Sequence, residues 1–185
     1  DTLVVQARCT GWQPGWGCQV HLDLTVPRDA ALDIRSDSGT IRADGFNAGV
    51  TLHTDSGGVL VSEVKGGASV RSDSGRIDLD DIEGPVVAST DSGGVLASGL
   101  DSPSVQVSSD SGSVVVELTE SPTTVTAQTD SGDVTVEVPD APGVAYVVQT
   151  STDSGREEVG VRTDPDSERL IRAATDSGNV HVRYR

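Results

Sequence analysis

The most regular chemistry in this 185-residue chain lies in eight Asp-Ser-Gly tripeptides. They begin at Asp37, Asp55, Asp73, Asp91, Asp110, Asp130, Asp153 and Asp176, spaced 18, 18, 18, 19, 20, 23 and 23 residues apart. If the units stack in register, adjacent carboxylates stand about 4.8 Å apart and repel by roughly 0.9 kcal/mol even in bulk water. One chemistry that offsets this is a cation ladder, with Ca²⁺ bridging carboxylates and carbonyls. The other is an Asx-type turn, in which the Asp oxygen accepts the N–H of the glycine two residues on. The glycines (Gly39, Gly57, Gly75, Gly93, Gly112, Gly132, Gly155 and Gly178) would then take a φ that other residues avoid. Serine hydroxyls would add bonds between units. The turn alone accounts for all three residue types, so no metal site is assigned, and the Gly-Gly-x-Gly-x-Asp calcium repeat is absent.

A hydroxyl precedes every one of these Asp residues: Ser36, Thr54, Ser72, Thr90, Ser109, Thr129, Thr152 and Thr175. Alternation places it on the same face as Ile34, Leu52, Val70 and Ala88, so a stack closing a core corner is expected, and an ice-binding face is not. Eight residues separate Cys9 from Cys18, too many for a redox pair, and the turn formers Gly11, Pro14, Gly15 and Gly17 are among them. A disulfide closing a hairpin loop follows, and with it an oxidising, extracytoplasmic compartment. Trp12 and Trp16 in that loop are a candidate binding tip, or indoles covering the end of a core. The histidines, His21, His53 and His181, are scattered and read as solvated strand positions. No nucleophile elbow, zinc-protease, Walker or dinucleotide motif occurs.

These residues need elements to hold them, and the spacing supplies them. Twelve residues after each of the first seven Asp stands Gly49, Gly67, Pro85, Pro103, Pro122, Pro142 or Pro165, a second corner at constant phase. Between corners, apolar and polar residues alternate as in strands with one buried face. Four and six residues after Asp come pairs such as Ile41/Ala43, Val59/Val61 and Val134/Val136. Phe46, Val64, Ile82 and Leu100 form a further column fitting a third short side. In the seventh unit Glu157 takes the first apolar slot, and Val159 and Val161 suggest a two-residue insertion or bulge. Each unit is then one coil of a solenoid, and stacking builds a continuous aliphatic core. The expected architecture is all-β, a single-stranded parallel β-helix of about eight coils of 18–23 residues, triangular and right-handed. Residues 1–30 are expected to form a cap with strands Leu3–Ala7 and Cys18–Val26, and residues 31–185 one continuous solenoid. The last strand, Val180–Arg185, is expected at an uncapped end, open to end-to-end self-association.

Composition agrees. Val is the commonest apolar residue and only 3% of residues are aromatic, so the core is aliphatic and thin. A net charge of −16 argues against nucleic acid as a partner. No apolar run approaches the roughly 18–20 residues of a membrane span. The absence of Met predicts a processed or excised piece, with any signal or anchor outside it.

The two-Cys hairpin, the Val26-Pro27 step and the Asp-Ser-Gly-x-Val-x-Val units together resemble the bacterial putative-adhesin family. The resemblance runs from about Cys9 to Arg185 and implies an extracytoplasmic β-helical domain at a cell surface, with no ligand specified. The function expected is a non-enzymatic scaffold or interaction module, its partner an unknown surface protein or glycan. Its rivals are a carbohydrate-binding or carbohydrate-active β-helix, since such folds cleave sugars with paired carboxylates, and a self-assembling solenoid polymerising through its C-terminal coil.

Overall fold

A computed structural model describes residues 3–6 and 20–185. Each Asp-Ser-Gly corner joins two strands whose alternating aliphatic residues face one core. The coils run in sequence as β1 (Leu32–Ser38) with β2 (Ile41–Phe46), β3 (Val50–Ser56) with β4 (Val59–Val64), and β5 (Ala68–Ser74) with β6 (Ile77–Ile82). Next come β7 (Val86–Ser92) with β8 (Val95–Leu100), β9 (Ser104–Ser111) with β10 (Val114–Leu118), and β11 (Thr124–Ser131) with β12 (Val134–Val138). The last two are β13 (Val147–Ser154) with β14 (Glu157–Val159), and β15 (Leu170–Ser177) with β16 (Val180–Tyr184). All ladders are parallel, and corresponding residues of successive coils pair, as Leu52 does with Ile34 and with Val70. The chain is thus an all-β parallel solenoid of eight coils, with no helix among the described residues.

The ladders make two eight-stranded sheets, and the third side is a seam of short connections. Backbone bonds between coils hold that seam, among them Lys65 N–H to Phe46 O (2.8 Å), Glu83 N–H to Val64 O (2.7 Å) and Asp101 N–H to Ile82 O (3.0 Å). The chain turns into it through left-handed backbone at Gly45, Glu63, Asp81 and Gly99, which brings the following Phe46, Val64, Ile82 and Leu100 inward. In the fifth coil one residue is missing here, so Leu118 meets Leu100 after a register shift. Buried Leu118 and Val138 therefore continue a column that was legible only as far as Leu100.

The coils do not stack in chain order. The first sheet runs β1-β3-β5-β7-β9-β11-β15-β13 and the second β2-β4-β6-β8-β10-β12-β16-β14. The eighth coil is inserted between the sixth and the seventh, so the C-terminal strand is interior and the seventh coil forms the end of the rod. This corrects the expectation of an uncapped C-terminal coil and, with it, of polymerisation through that coil. The physical reason lies in two inward positions of the seventh coil. Thr150 lies opposite Ala173 and Glu157 opposite Val180, where the interior coils carry small or aliphatic residues. Between two neighbours Glu157 would be buried at a cost of several kcal/mol. At the end it is exposed, and its carboxylate accepts the Thr150 hydroxyl. The eighth coil is suited to the interior, with Ile171, Ala173, Val180 and Val182 fully buried. The two-residue insertion expected in the seventh unit is not present, because Glu157 and Val159 stand in register with Val180 and Val182.

At the other end, Arg28 O accepts the Asn47 N–H (2.8 Å) and the Arg28 guanidinium lies over Gly45. Residues 3–6 and 20–26, part of the two strands expected in the cap, form no ladder. Cys9, Cys18, Trp12 and Trp16, on which the expected disulfide and binding tip fall, lie outside the described residues.

Candidate functional site

The Asp-Ser-Gly tripeptides form one corner of the rod. In stacking order the carboxylates run Asp37, Asp55, Asp73, Asp91, Asp110, Asp130, Asp176, Asp153, all on the outward side, with Asp73 the only one half-buried. The ladder continues through the corner and takes the glycine N–H groups. Gly57 donates to Ser74 O (2.9 Å), Gly75 to Ser92 O (2.8 Å) and Gly112 to Ser131 O (2.8 Å). The expected Asx turn is therefore not what fixes Asp here, since the N–H it needed is used between coils. Glycine is still required, for a different reason. At Gly57, with φ +143°, a Cβ would overlap the Gly39 carbonyl of the coil below.

Bonds between coils by hydroxyls also come from another residue than expected, the Ser or Thr before Asp. Ser109 Oγ donates to Gly93 O (2.8 Å), Thr129 Oγ1 to Gly112 O (2.8 Å), Thr175 Oγ1 to Gly132 O (2.9 Å) and Thr152 Oγ1 to Gly178 O (2.9 Å). The column is buried from Thr54 to Thr175, as a stack closing a core corner requires.

Carboxylate repulsion is answered unevenly along the corner. In the first three coils the outward position two residues before Asp is basic. His53 reaches Asp55 (3.3 Å), and Arg71 lies between Asp73 (3.5 Å) and Asp91 (3.3 Å). The same position in the other coils holds Ser89, Ser108, Gln128, Ala174 and Ser151, none of them charged. From Asp110 to Asp153 the corner is an exposed run of like charge with no ion pair to any described residue. Among the described residues no group of three or more His, Cys, Asp or Glu side chains could hold a metal ion.

Two further polar columns escaped the sequence reading. On the second sheet Ser62 Oγ donates to Asp44 (2.6 Å) and Ser98 Oγ to Asp80 (2.9 Å), so acid and hydroxyl alternate from coil to coil. The signal was the 18-residue spacing of Asp44, Ser62, Asp80 and Ser98. Near the inserted coil, Asn179 N–H donates to Asp133 (2.7 Å) and Arg156 N–H to Asn179 Oδ1 (3.2 Å). Arg183 pairs with Glu137 and His181 with Glu158 (3.3 Å), which ties the eighth coil to both neighbours. No spacing in the chain announces these, because they depend on the stacking order.

A polar concavity of about 420 Å³ lies beside the seam near the seventh-coil end, lined by residues that include Thr123, Val144, Asp164, Ser167 and Arg169. Two of its polar side chains bond the coils together: Arg169 Nη1 donates to Ser121 O (2.8 Å) and Pro122 O (2.7 Å), and Ser167 Oγ to Ala145 O (2.8 Å). Each histidine faces a carboxylate, His21 with Asp23 (3.2 Å), and no two histidines come together.

No curated protein and no solved structure matches the chain. A family model does, over residues 17–183, which span every coil described above. The chain belongs to the Toastrack DUF4097 family, a β-solenoid family of unknown function.

Proposed function

We propose that this Toastrack domain is a non-enzymatic, extracytoplasmic scaffold or interaction module, adhesin-like in that it presents its outer faces to a surface protein or a glycan. The observation that carries this reading is the use made of its polar groups. The buried hydroxyls from Ser72 to Thr175, the glycine amides and the arginine beside the concavity bond the coils to one another, and the corner carboxylates from Asp110 to Asp153 are left unpaired on a regular repeat. Such a surface suits recognition by many weak, evenly spaced contacts more than it suits a reaction, which needs a nucleophile or a pair of positioned acids. Cys9 and Cys18 support the oxidising compartment on chemical grounds.

The test is a glycan array run beside a polysaccharide-hydrolysis screen and a pull-down on immobilised envelope proteins, all with the purified chain. Binding without turnover is the expected result. Release of sugar would replace this reading with the carbohydrate-active one.

A further inference from the structure

In the first four coils the connection along the seam is short, running over 47–49, 65–67, 83–85 and 101–103. The next three are longer, 119–123, 139–146 and 160–169. The middle one passes the eighth coil to reach the seventh, which accounts for its extra residues. The last steps by a single coil, as the short connections do, so its length exceeds what the path requires. Repeat proteins place binding sites on such added loops. Every residue lining the concavity of about 420 Å³ comes from these three stretches, half of them from 160–169. The stretches are tied together: Leu170 N–H donates to Thr123 O (2.9 Å), Val147 N–H to Arg169 O (2.7 Å) and Asp166 N–H to Asp164 Oδ1 (2.9 Å). The hollow is therefore built before a ligand arrives, which lowers the ordering cost of binding.

The charges on its wall are paired neither with one another nor with the rest of the described chain. Arg169 is half-buried, and only its Nη1 is bonded, to two neutral carbonyls; Nε and Nη2 donate to no described residue. Arg169, Glu168 and Asp164 make no ion pair among the described residues, whereas Arg162 and Arg183 do. Asp164 accepts one N–H of its own loop, and the Glu168 carboxylate bonds nothing described. Half-buried Val144 and Ala145 add a small apolar patch. A lone anion in this hollow would be drawn to Arg169 and repelled by both carboxylates, and a lone cation the reverse. A molecule carrying both charges meets all three favourably. We infer that the concavity binds a small zwitterion, an amino acid or short peptide with a free ammonium and a free carboxylate. Arg169 takes the carboxylate through its remaining N–H groups, and Glu168 with Asp164 takes the ammonium. The volume lies in the range of small-molecule sites. Such a site is independent of what the outer faces of the rod bind.

Isothermal titration calorimetry of the full chain tests this with unbranched amino acids from glycine to 6-aminohexanoic acid, whose charge separation grows stepwise. Butylamine and butyrate, with one charge each, are the controls. At least one amino acid of the series binds saturably at one site per chain, and both controls bind about tenfold or more weakly. Glu168→Gln weakens that binding about tenfold and leaves the melting temperature unchanged, since the side chain it replaces bonds nothing in the fold. Glu168→Lys turns the preference round, so that butyrate binds this variant more tightly than the native chain. Glu63→Gln, on the second coil, leaves binding unchanged. No saturable binding across the series, single-charge controls that bind as tightly, or an affinity indifferent to Glu168→Gln would overturn the inference.

Discussion

Thr54 and Thr129 occupy the same buried column, yet their hydroxyls have different surroundings. Thr129 Oγ1 donates to Gly112 O at 2.8 Å, whereas Thr54 Oγ1 is buried with no partner. Thr129→Val should therefore destabilise the rod by about 1–2 kcal/mol, because it strips the carbonyl of its donor. Thr54→Val should be neutral or stabilising by up to about 1 kcal/mol, since it removes an unsatisfied polar atom. Denaturant titration of both variants checks the contrast. The glycine column sorts the same way. Gly57→Ala drives a methyl into the Gly39 carbonyl and should cost about 3 kcal/mol or more. Gly39→Ala, in the first coil with open space beside it, should cost about 1 kcal/mol from its φ of +104°. At this scale the sequence showed which positions are fixed and misjudged part of the reason. Alternation alone put the Ser/Thr column inward. The bond made by each glycine N–H was not legible, because a local turn and a ladder running through the corner demand the same three residue types.

Among the elements, the seventh coil separates what the chain encodes locally from what only stacking decides. The strands of the other coils were legible from the phase of their apolar residues, and Glu157 stood out in an apolar slot. An insertion is needed to explain it only for a coil inside the stack, and at the end of the rod the slot tolerates a carboxylate. All coils share one register, so β13 and β15 are equally able to pair with β11. Core polarity then chooses between them. Replacing both Thr150 and Glu157 with Val should remove that choice and give a mixture of stacking orders, seen as a second set of cross-links between β11 and β13. A single order retained in the double variant would mean that contacts such as Arg183 with Glu137 set the sequence of coils instead. The third side also depended on more than periodicity. Six residues per side fit the repeat length, yet left-handed backbone at Glu63 and Asp81 shortens that side to a seam.

For the whole molecule, the order of coils gives the rod two unlike ends and makes its last strand an interior one. The acidity follows the same stack: eight of the 21 Asp form a single corner, compensated by bases in the first coils and left bare toward the seventh-coil end. These properties rest on the eighth coil lying between the sixth and seventh, which paired cysteines can report directly. Gln128 lies opposite Ala174, and Ala174 opposite Ser151, so Gln128 and Ser151 are two strand spacings apart, about 9.6 Å, too far for a disulfide. In chains oxidised after folding and mapped by peptide mass, so that the new bridge is told from Cys9 and Cys18, Gln128→Cys/Ala174→Cys should cross-link within one chain. Gln128→Cys/Ser151→Cys should not. The reverse pattern would place the coils in chain order and contradict this account.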